Sequence, residues 1–165
     1  MSFSSNIAFI HTLLACLALL TGLIVVLGIK GTKLHRYLGY LYFVSMLSLN
    51  VTALFVHGLY TFGAFHWLAL FSLAGVLSGM AYPILFRHRS NWLRMHSDFM
   101  LWSYIGLVAA LVAESITRVP VIRNAIVNRE IFWYLVTASS LAVMVFGGYL
   151  MELKRVTYLI KADRL

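Results

Sequence analysis

The stretch IAFIHTLLACLALLTGLIVVLGI, residues 7–29, decides the fold class, because it carries no charged residue over a length that can cross a bilayer. A transmembrane helix needs about 20 predominantly apolar residues. Four more predominantly apolar segments of similar length follow, at approximately residues 35–56, 65–86, 96–117 and 131–151. Their connections are short, so neighbouring helices are expected to pack antiparallel. The sequence therefore predicts an all-α integral membrane protein: an antiparallel bundle of five transmembrane helices, with a four-helix core and one peripheral helix.

The composition supports a single membrane domain over residues 1–165. The chain is 62% hydrophobic and 11% charged, and its mean hydropathy is +0.89. A soluble domain of this size lacks the interior to bury so much apolar surface. The formal charge of +8 does not indicate nucleic acid, because the basic residues lie between apolar runs and not on one face. The expected partner is a lipid membrane. Cys16 is the only cysteine, which excludes an intramolecular disulfide.

The basic residues also predict the orientation. Ten fall in the connections 1–2 and 3–4 and in the tail: Lys30, Lys33, Arg36, Arg87, Arg89, Arg94, Lys154, Arg155, Lys161 and Arg164. Only three, Arg118, Arg123 and Arg129, lie in a loop on the opposite side. Because cytoplasmic loops are enriched in Lys and Arg, we expect the N-terminus outside and the C-terminus in the cytoplasm, in a bacterial inner membrane.

Four histidines stand at the starts of four successive apolar segments: His11, His35, His66 and His96. Consecutive helices start on alternating faces of the bilayer, so His11 and His66 share one face and His35 and His96 share the other. A titratable ring within a membrane is costly and indicates a function. Two histidines at one depth on parallel helices suit the axial ligation of a membrane-embedded haem. The pattern predicts two haem b groups, each with bis-histidine ligation.

Small residues follow these histidines at helical spacing and would leave room for a flat macrocycle. The stripes are His11, Ala15, Ala18 and Gly22; His35, Gly39, Tyr42 and Met46; Ser72, Gly75 and Gly79; and His96, Met100, Ser103 and Ala110. The alternative is that small residues simply let helices approach closely.

Other residues give weaker candidates. His57 could join His11 and His66 in a three-histidine zinc or copper site, which ranks below haem because no acidic residue is nearby. Each histidine could also be an interfacial ring bonded to water, lipid or backbone, and His88, between two arginines, is expected to be solvated. Arg36 and Arg94 could bind haem propionates, although ordinary positive-inside residues are the simpler interpretation.

Glu114 and Arg118 are spaced for an i,i+4 ion pair, with the glutamate first. A structural pair near the membrane surface is the default expectation. The functional alternative makes Glu114 a proton carrier near a bound quinone.

Two motifs, LHRYLGYLY from Leu34 and HSDFMLWSYIGLVAALVAESITR from His96, resemble a bacterial family of small membrane proteins, domain-of-unknown-function family 2306. The topology is also similar to the four-helix core of the cytochrome b561 group. That resemblance implies two b haems held by histidines of alternate helices, and electron transfer across the membrane. The chain departs from the eukaryotic members in adding only one helix to the core, and its inner histidines stand near the helix starts.

The expected function is therefore that of a di-haem electron-transfer protein, and oxidoreductase activity is left open. Electrons would pass between a quinone or small reductant and a redox partner protein on the other face. Bis-histidine ligation leaves no open iron position, so oxygen activation is not expected. The alternatives are a zinc- or copper-binding or sensory membrane protein and a non-catalytic membrane subunit. Assembly as a homo-oligomer is also left open.

Overall fold

The computed structural model of the chain describes residues 3–55, 64–118 and 129–162. In these ranges the chain forms five α-helices and no β-strand. The helices are α1 (Phe3–Leu27), α2 (Lys33–Ala53), α3 (Ala64–Leu85), α4 (Trp92–Arg118) and α5 (Arg129–Ala162). Each covers a predicted segment, so the all-α prediction is confirmed. The largest difference is in α5, which continues from the predicted end near residue 151 to Ala162.

Four of the described helices contain a stretch long and apolar enough to span a bilayer: Asn6–Leu27, His66–Leu85, Trp92–Ile116 and Trp133–Leu153. These stretches establish an α-helical membrane protein. Helix α2 is less apolar, since it carries Lys33, His35, Arg36 and Asn50.

The position of α2 explains its polarity. Both α1 and α3 pack on α2, and five of its residues are buried: Tyr42, Ser45, Met46, Leu49 and Asn50. Because neighbouring helices cover much of its surface, fewer of its side chains must be compatible with lipid. Hydroxyls within the spans bond back to their own helix, as Thr21 Oγ1 does to the Leu17 carbonyl at 2.7 Å and Ser45 Oγ to the Leu41 carbonyl at 2.8 Å.

Contacts between helices fix their directions. His11 of α1 contacts Thr52 of α2, and Gly22, later in α1, contacts Tyr42, earlier in α2. The two helices are therefore antiparallel. Gly79 and Tyr82 of α3 likewise approach α4 near its first turns. The antiparallel contact of α1 with α2, and the contact of the end of α3 with the start of α4, agree with the alternation predicted from the sequence.

The turn before α2 places His35. Gly31 adopts φ +78°, a left-handed conformation that favours glycine. Thr32 then caps the helix, because its hydroxyl accepts the His35 backbone N–H at 3.1 Å. Lys30 Nζ donates to the Val25 and Val26 carbonyls and so closes the end of α1. His35 is thus held in the first turn of α2.

The core of residues 1–104 is built around two tyrosines. The hydroxyl of Tyr42, a residue only 2% exposed, donates to Ser103 Oγ at 2.9 Å, because Ser103 gives its own proton to the Met100 carbonyl. The Tyr104 hydroxyl donates to the Leu19 carbonyl at 3.3 Å. Both rings pack on Gly22, where a Cβ would lie 2.5 Å from Tyr104 Cδ2 and 2.8 Å from Tyr42 Cε2. Glycine at this position is what lets α1, α2 and α4 meet.

The chain separates into two compact units, residues 1–104 and 105–165. In the second unit, Gly147 of α5 lies against Ile105 of α4, where a Cβ would meet the Ile105 side chain at 2.8 Å. Much of the α5 surface is apolar and exposed, including Tyr134, Val145 and Phe146. In a bilayer such a surface faces lipid.

Candidate functional site

His35 and His96 lie at one depth in the membrane bundle. His35 stands seven residues before Tyr42 in α2, and His96 stands seven residues before Ser103 in α4. Tyr42 and Ser103 are in contact, and the two helices run in the same direction. The same two turns, about 10 Å of helix rise, therefore separate both histidines from that contact. The two rings are also close enough to interact electrostatically. The structure thus brings together the two histidines that alternation of helix starts assigned to the inner face.

The His96 ring is fixed by α3. Its Nδ1 lies 2.7 Å from the Gly79 carbonyl oxygen. Since a carbonyl only accepts, Nδ1 carries the proton and donates it, and the lone pair of the ring is on Nε2. Gly79 allows this contact, because a Cβ there would lie 2.8 Å from Met100 Sδ and 3.2 Å from Phe99 Cβ. Of the two interpretations of the small residues, room for a macrocycle or close approach of helices, close approach is therefore the one that applies at Gly79.

The His35 ring is half-buried, and its Nδ1 is fully buried without a hydrogen-bond partner in the described part of the chain. A buried polar atom in this state costs desolvation free energy. One turn further along α2, a Cβ placed on Gly39 would have no atom within 4 Å. The inner pair therefore combines an unsatisfied imidazole nitrogen with open space beside the same helix.

His11 and His66 lie at the other end of these helices. His11 Nδ1 is 3.1 Å from Thr52 Oγ1 of α2. The Thr52 hydroxyl gives its proton to the backbone carbonyls of Ser48 and Leu49, both at 2.9 Å, so it accepts from His11 Nδ1. The lone pair of His11 is then on Nε2. His66, in the first turn of α3, is only 6% exposed.

The charged candidates occupy simpler positions. Arg94 Nε lies 3.7 Å from Asp98 Oδ2 within α4, and because the Arg94 side chain is 69% exposed this pair adds little stability. Arg36 is exposed near the start of α2, and Glu114 is half-buried in α4. The side chain of Arg118 lies outside the described part, so its pairing with Glu114 stays a prediction.

The three-histidine metal site falls partly outside the described residues, since His57 is not among them. In the described ranges, no group of three or more His, Cys, Asp or Glu side chains could hold a metal ion. His88 is exposed in the α3–α4 connection, in agreement with the expectation of a solvated ring.

Sequence reasoning missed Gly79 and Thr52 as the groups that orient two of the histidines. Both act across a helix–helix contact, so no spacing within one segment marks them. The nearest signal was the polarity of α2, which indicates a helix enclosed by neighbours.

The apolar helices and their order define the class, an α-helical integral membrane protein. The family model described as "Predicted membrane protein (DUF2306)" matches residues 8–154. The chain belongs to this family, as the two quoted motifs predicted. No curated protein and no solved structure gives a match. The similarity to the cytochrome b561 group thus stays a hypothesis based on topology.

Proposed function

We propose that the chain is a membrane-embedded b-type di-haem protein that passes electrons across the bacterial inner membrane. One haem b is held by His35 and His96, and the other by His11 and His66. The observation that carries the proposal is the inner pair: two histidines at one depth on parallel helices, with the His96 ring oriented by the Gly79 carbonyl.

The hydrogen bonds of the rings fit metal ligation. A metal-bound histidine almost always donates its second ring N–H to a carbonyl, carboxylate or water, which fixes the tautomer and raises the basicity of the ligand. His96 donates in this way to the Gly79 carbonyl, and His11 donates to the Thr52 hydroxyl, which takes the place of such an acceptor. One histidine of each proposed pair therefore has the tautomer in which Nε2 carries the lone pair that binds haem iron.

The number of ligands favours haem over zinc or copper. A structural zinc site takes four protein ligands, and a catalytic zinc site takes three. The inner pair, His35 and His96, supplies two imidazoles, fewer than either kind of zinc site takes. A pair of imidazoles is sufficient for haem, because the macrocycle fills the remaining positions around the iron.

The separation of the pairs suits transfer across the membrane. Thr52, which bonds to His11, follows His35 by 17 residues along α2, or about 25 Å of helix rise. The hydrocarbon core of a bilayer is about 30 Å thick. When bound, haem supplies the one-electron chemistry. The apolar helices exclude water around it.

The remaining residues have auxiliary roles in this proposal. Arg36 and Arg94 stand near the inner pair, where their guanidinium groups can bind propionates, and the exposed Arg94–Asp98 pair can open at little cost. Glu114 is the proton carrier beside a quinone that donates or accepts electrons. The basic connections place the N-terminus outside and the C-terminus in the cytoplasm.

The test is a reduced-minus-oxidised absorption spectrum of the full chain, purified in detergent from haem-replete cells. We expect a Soret band that shifts on reduction and about two haems per chain. His88→Ala is the control and should leave the spectrum intact, because that ring is exposed. A colourless protein would overturn the proposal, and bound zinc or copper in it would favour the site of His11, His57 and His66.

A further inference from the structure

The connection between α3 and α4 has an unusual arrangement of arginines and aromatic rings. The Arg87 guanidinium lies over the Trp92 ring, 5.7 Å from its centroid, and the Arg89 guanidinium lies over the Phe86 ring at 5.0 Å. Phe86 in turn packs on Tyr82, with ring centroids 5.5 Å apart. Both arginines are exposed. An arginine that stacks by its flat face keeps the N–H groups along its edge available to another ligand.

The depth of this connection matches the lipid headgroups. Residues 86–91 join the spans His66–Leu85 and Trp92–Ile116, so they lie within a turn or so of the membrane surface. Trp and Tyr rings concentrate at this level. The two guanidinium groups rest on Trp92 and Phe86 at this depth and are therefore held at the level of the phosphates.

The electrostatic surroundings favour an anion. Lys30, Lys33 and Arg36 lie at the same end of the helices, and neither α2 nor α4 has an acidic residue in its first turn. The N-termini of both helices therefore add their positive dipole ends without a local carboxylate to offset them. Asp98, the acidic side chain described near this end, is engaged with Arg94.

We propose that Arg87 and Arg89 form a binding site for the phosphate of an anionic phospholipid. Their planar forks match phosphate oxygens, and the stacked rings reduce the side-chain entropy lost on binding. Basic pockets at the cytoplasmic ends of transmembrane helices are suited to such headgroups. An acidic protein would have to reach these arginines through the headgroup layer, which makes lipid the favoured occupant. The site does not depend on haem.

The test is native mass spectrometry of the delipidated full chain in detergent, titrated with phosphatidylglycerol or phosphatidylcholine. We expect tighter binding of phosphatidylglycerol, and a dissociation constant raised about tenfold in R87Q/R89Q, as loss of a charge-assisted hydrogen bond implies. R87K/R89K keeps both charges but loses the forks, so it should weaken binding to a similar degree. The control K33Q removes one charge at the same end but outside the arginine–ring contacts, so it should weaken binding far less than R87Q/R89Q.

Three outcomes would overturn the site. Unchanged binding by R87K/R89K would show that diffuse positive charge is sufficient. Equal affinity for the two lipids would remove the anion preference. Competition by millimolar glycerol 3-phosphate would assign the arginines to a soluble phosphate and not to a lipid. If R87Q/R89Q fails to fold, R87K/R89K alone still tests whether the guanidinium forks bind the phosphate.

Discussion

Gly22→Ala should destabilise the protein, because Gly22 is where two tyrosine rings meet α1. A Cβ at this position would lie 2.5 and 2.7 Å from Tyr104 ring carbons and 2.8 Å from a Tyr42 ring carbon. Neither ring can withdraw freely. The Tyr42 hydroxyl is bonded to Ser103, and the Tyr104 hydroxyl is bonded to the Leu19 carbonyl.

The size of the effect follows from two opposing terms. Overpacking a well-packed core costs about 1–3 kcal/mol, and the contact with two anchored rings places Gly22 near the upper value. Replacing a helical glycine by alanine stabilises the helix by up to about 1 kcal/mol, because alanine has the higher helix propensity. We therefore expect a net loss of about 2 kcal/mol in the free energy of unfolding.

Gly75→Ala is the matched control. A Cβ on Gly75, a glycine within α3, meets no atom within 4 Å, so only the helix propensity term applies and the change should be neutral or stabilising. The melting temperatures of both variants are compared by thermal denaturation in one detergent, followed by far-ultraviolet circular dichroism. If Gly22→Ala melted at or above Gly75→Ala, the packing of the two tyrosines on α1 would be wrong.

Three other changes test separate parts of the account. Tyr42→Phe removes the donor to Ser103 and should cost about 1 kcal/mol in the same melting assay, so an unchanged melting temperature would contradict the buried hydrogen bond. Thr52→Val removes the acceptor of His11 Nδ1 while conserving shape, and should shift the midpoint potential of one of the two haems in a redox titration; two unshifted potentials would exclude this role for Thr52. A reporter fused after Leu165 should be active in the cytoplasm, and one inserted within residues 58–63 should be active outside. The reverse pattern would exchange the faces of both histidine pairs.

The number and type of the helices in the described ranges could be predicted from the sequence, because long and predominantly apolar runs have few alternatives in a membrane protein. The ends were less predictable. The basic residues after Leu153 indicate the end of a span, yet they do not interrupt a helix, so α5 continues to Ala162. The family was also recognisable, from motifs that begin α2 and follow the start of α4.

The position of His35 and His96 at the same end of the helices could be anticipated, because helix starts alternate between faces. The hydrogen bonds of the rings could not, since they depend on how each helix is rotated and how deeply it sits. Such details come from contacts between segments, as Gly79 shows by meeting both Met100 and His96. The periodicity of one segment indicates which face of its helix is packed, but not which other helix packs against that face.

The central claim is that His35 and His96 ligate one iron, and the pairing experiment tests it most directly. Each histidine is replaced by alanine, singly and together, and the haems that remain are resolved by electron paramagnetic resonance of the oxidised full chain. Ligands of one metal act as a unit, so both single variants should lose the same low-spin signal and the double variant little more. His11→Ala should instead remove the other signal. Loss of one common signal in both His11→Ala and His35→Ala, or retention of both signals in His96→Ala, would contradict the assignment.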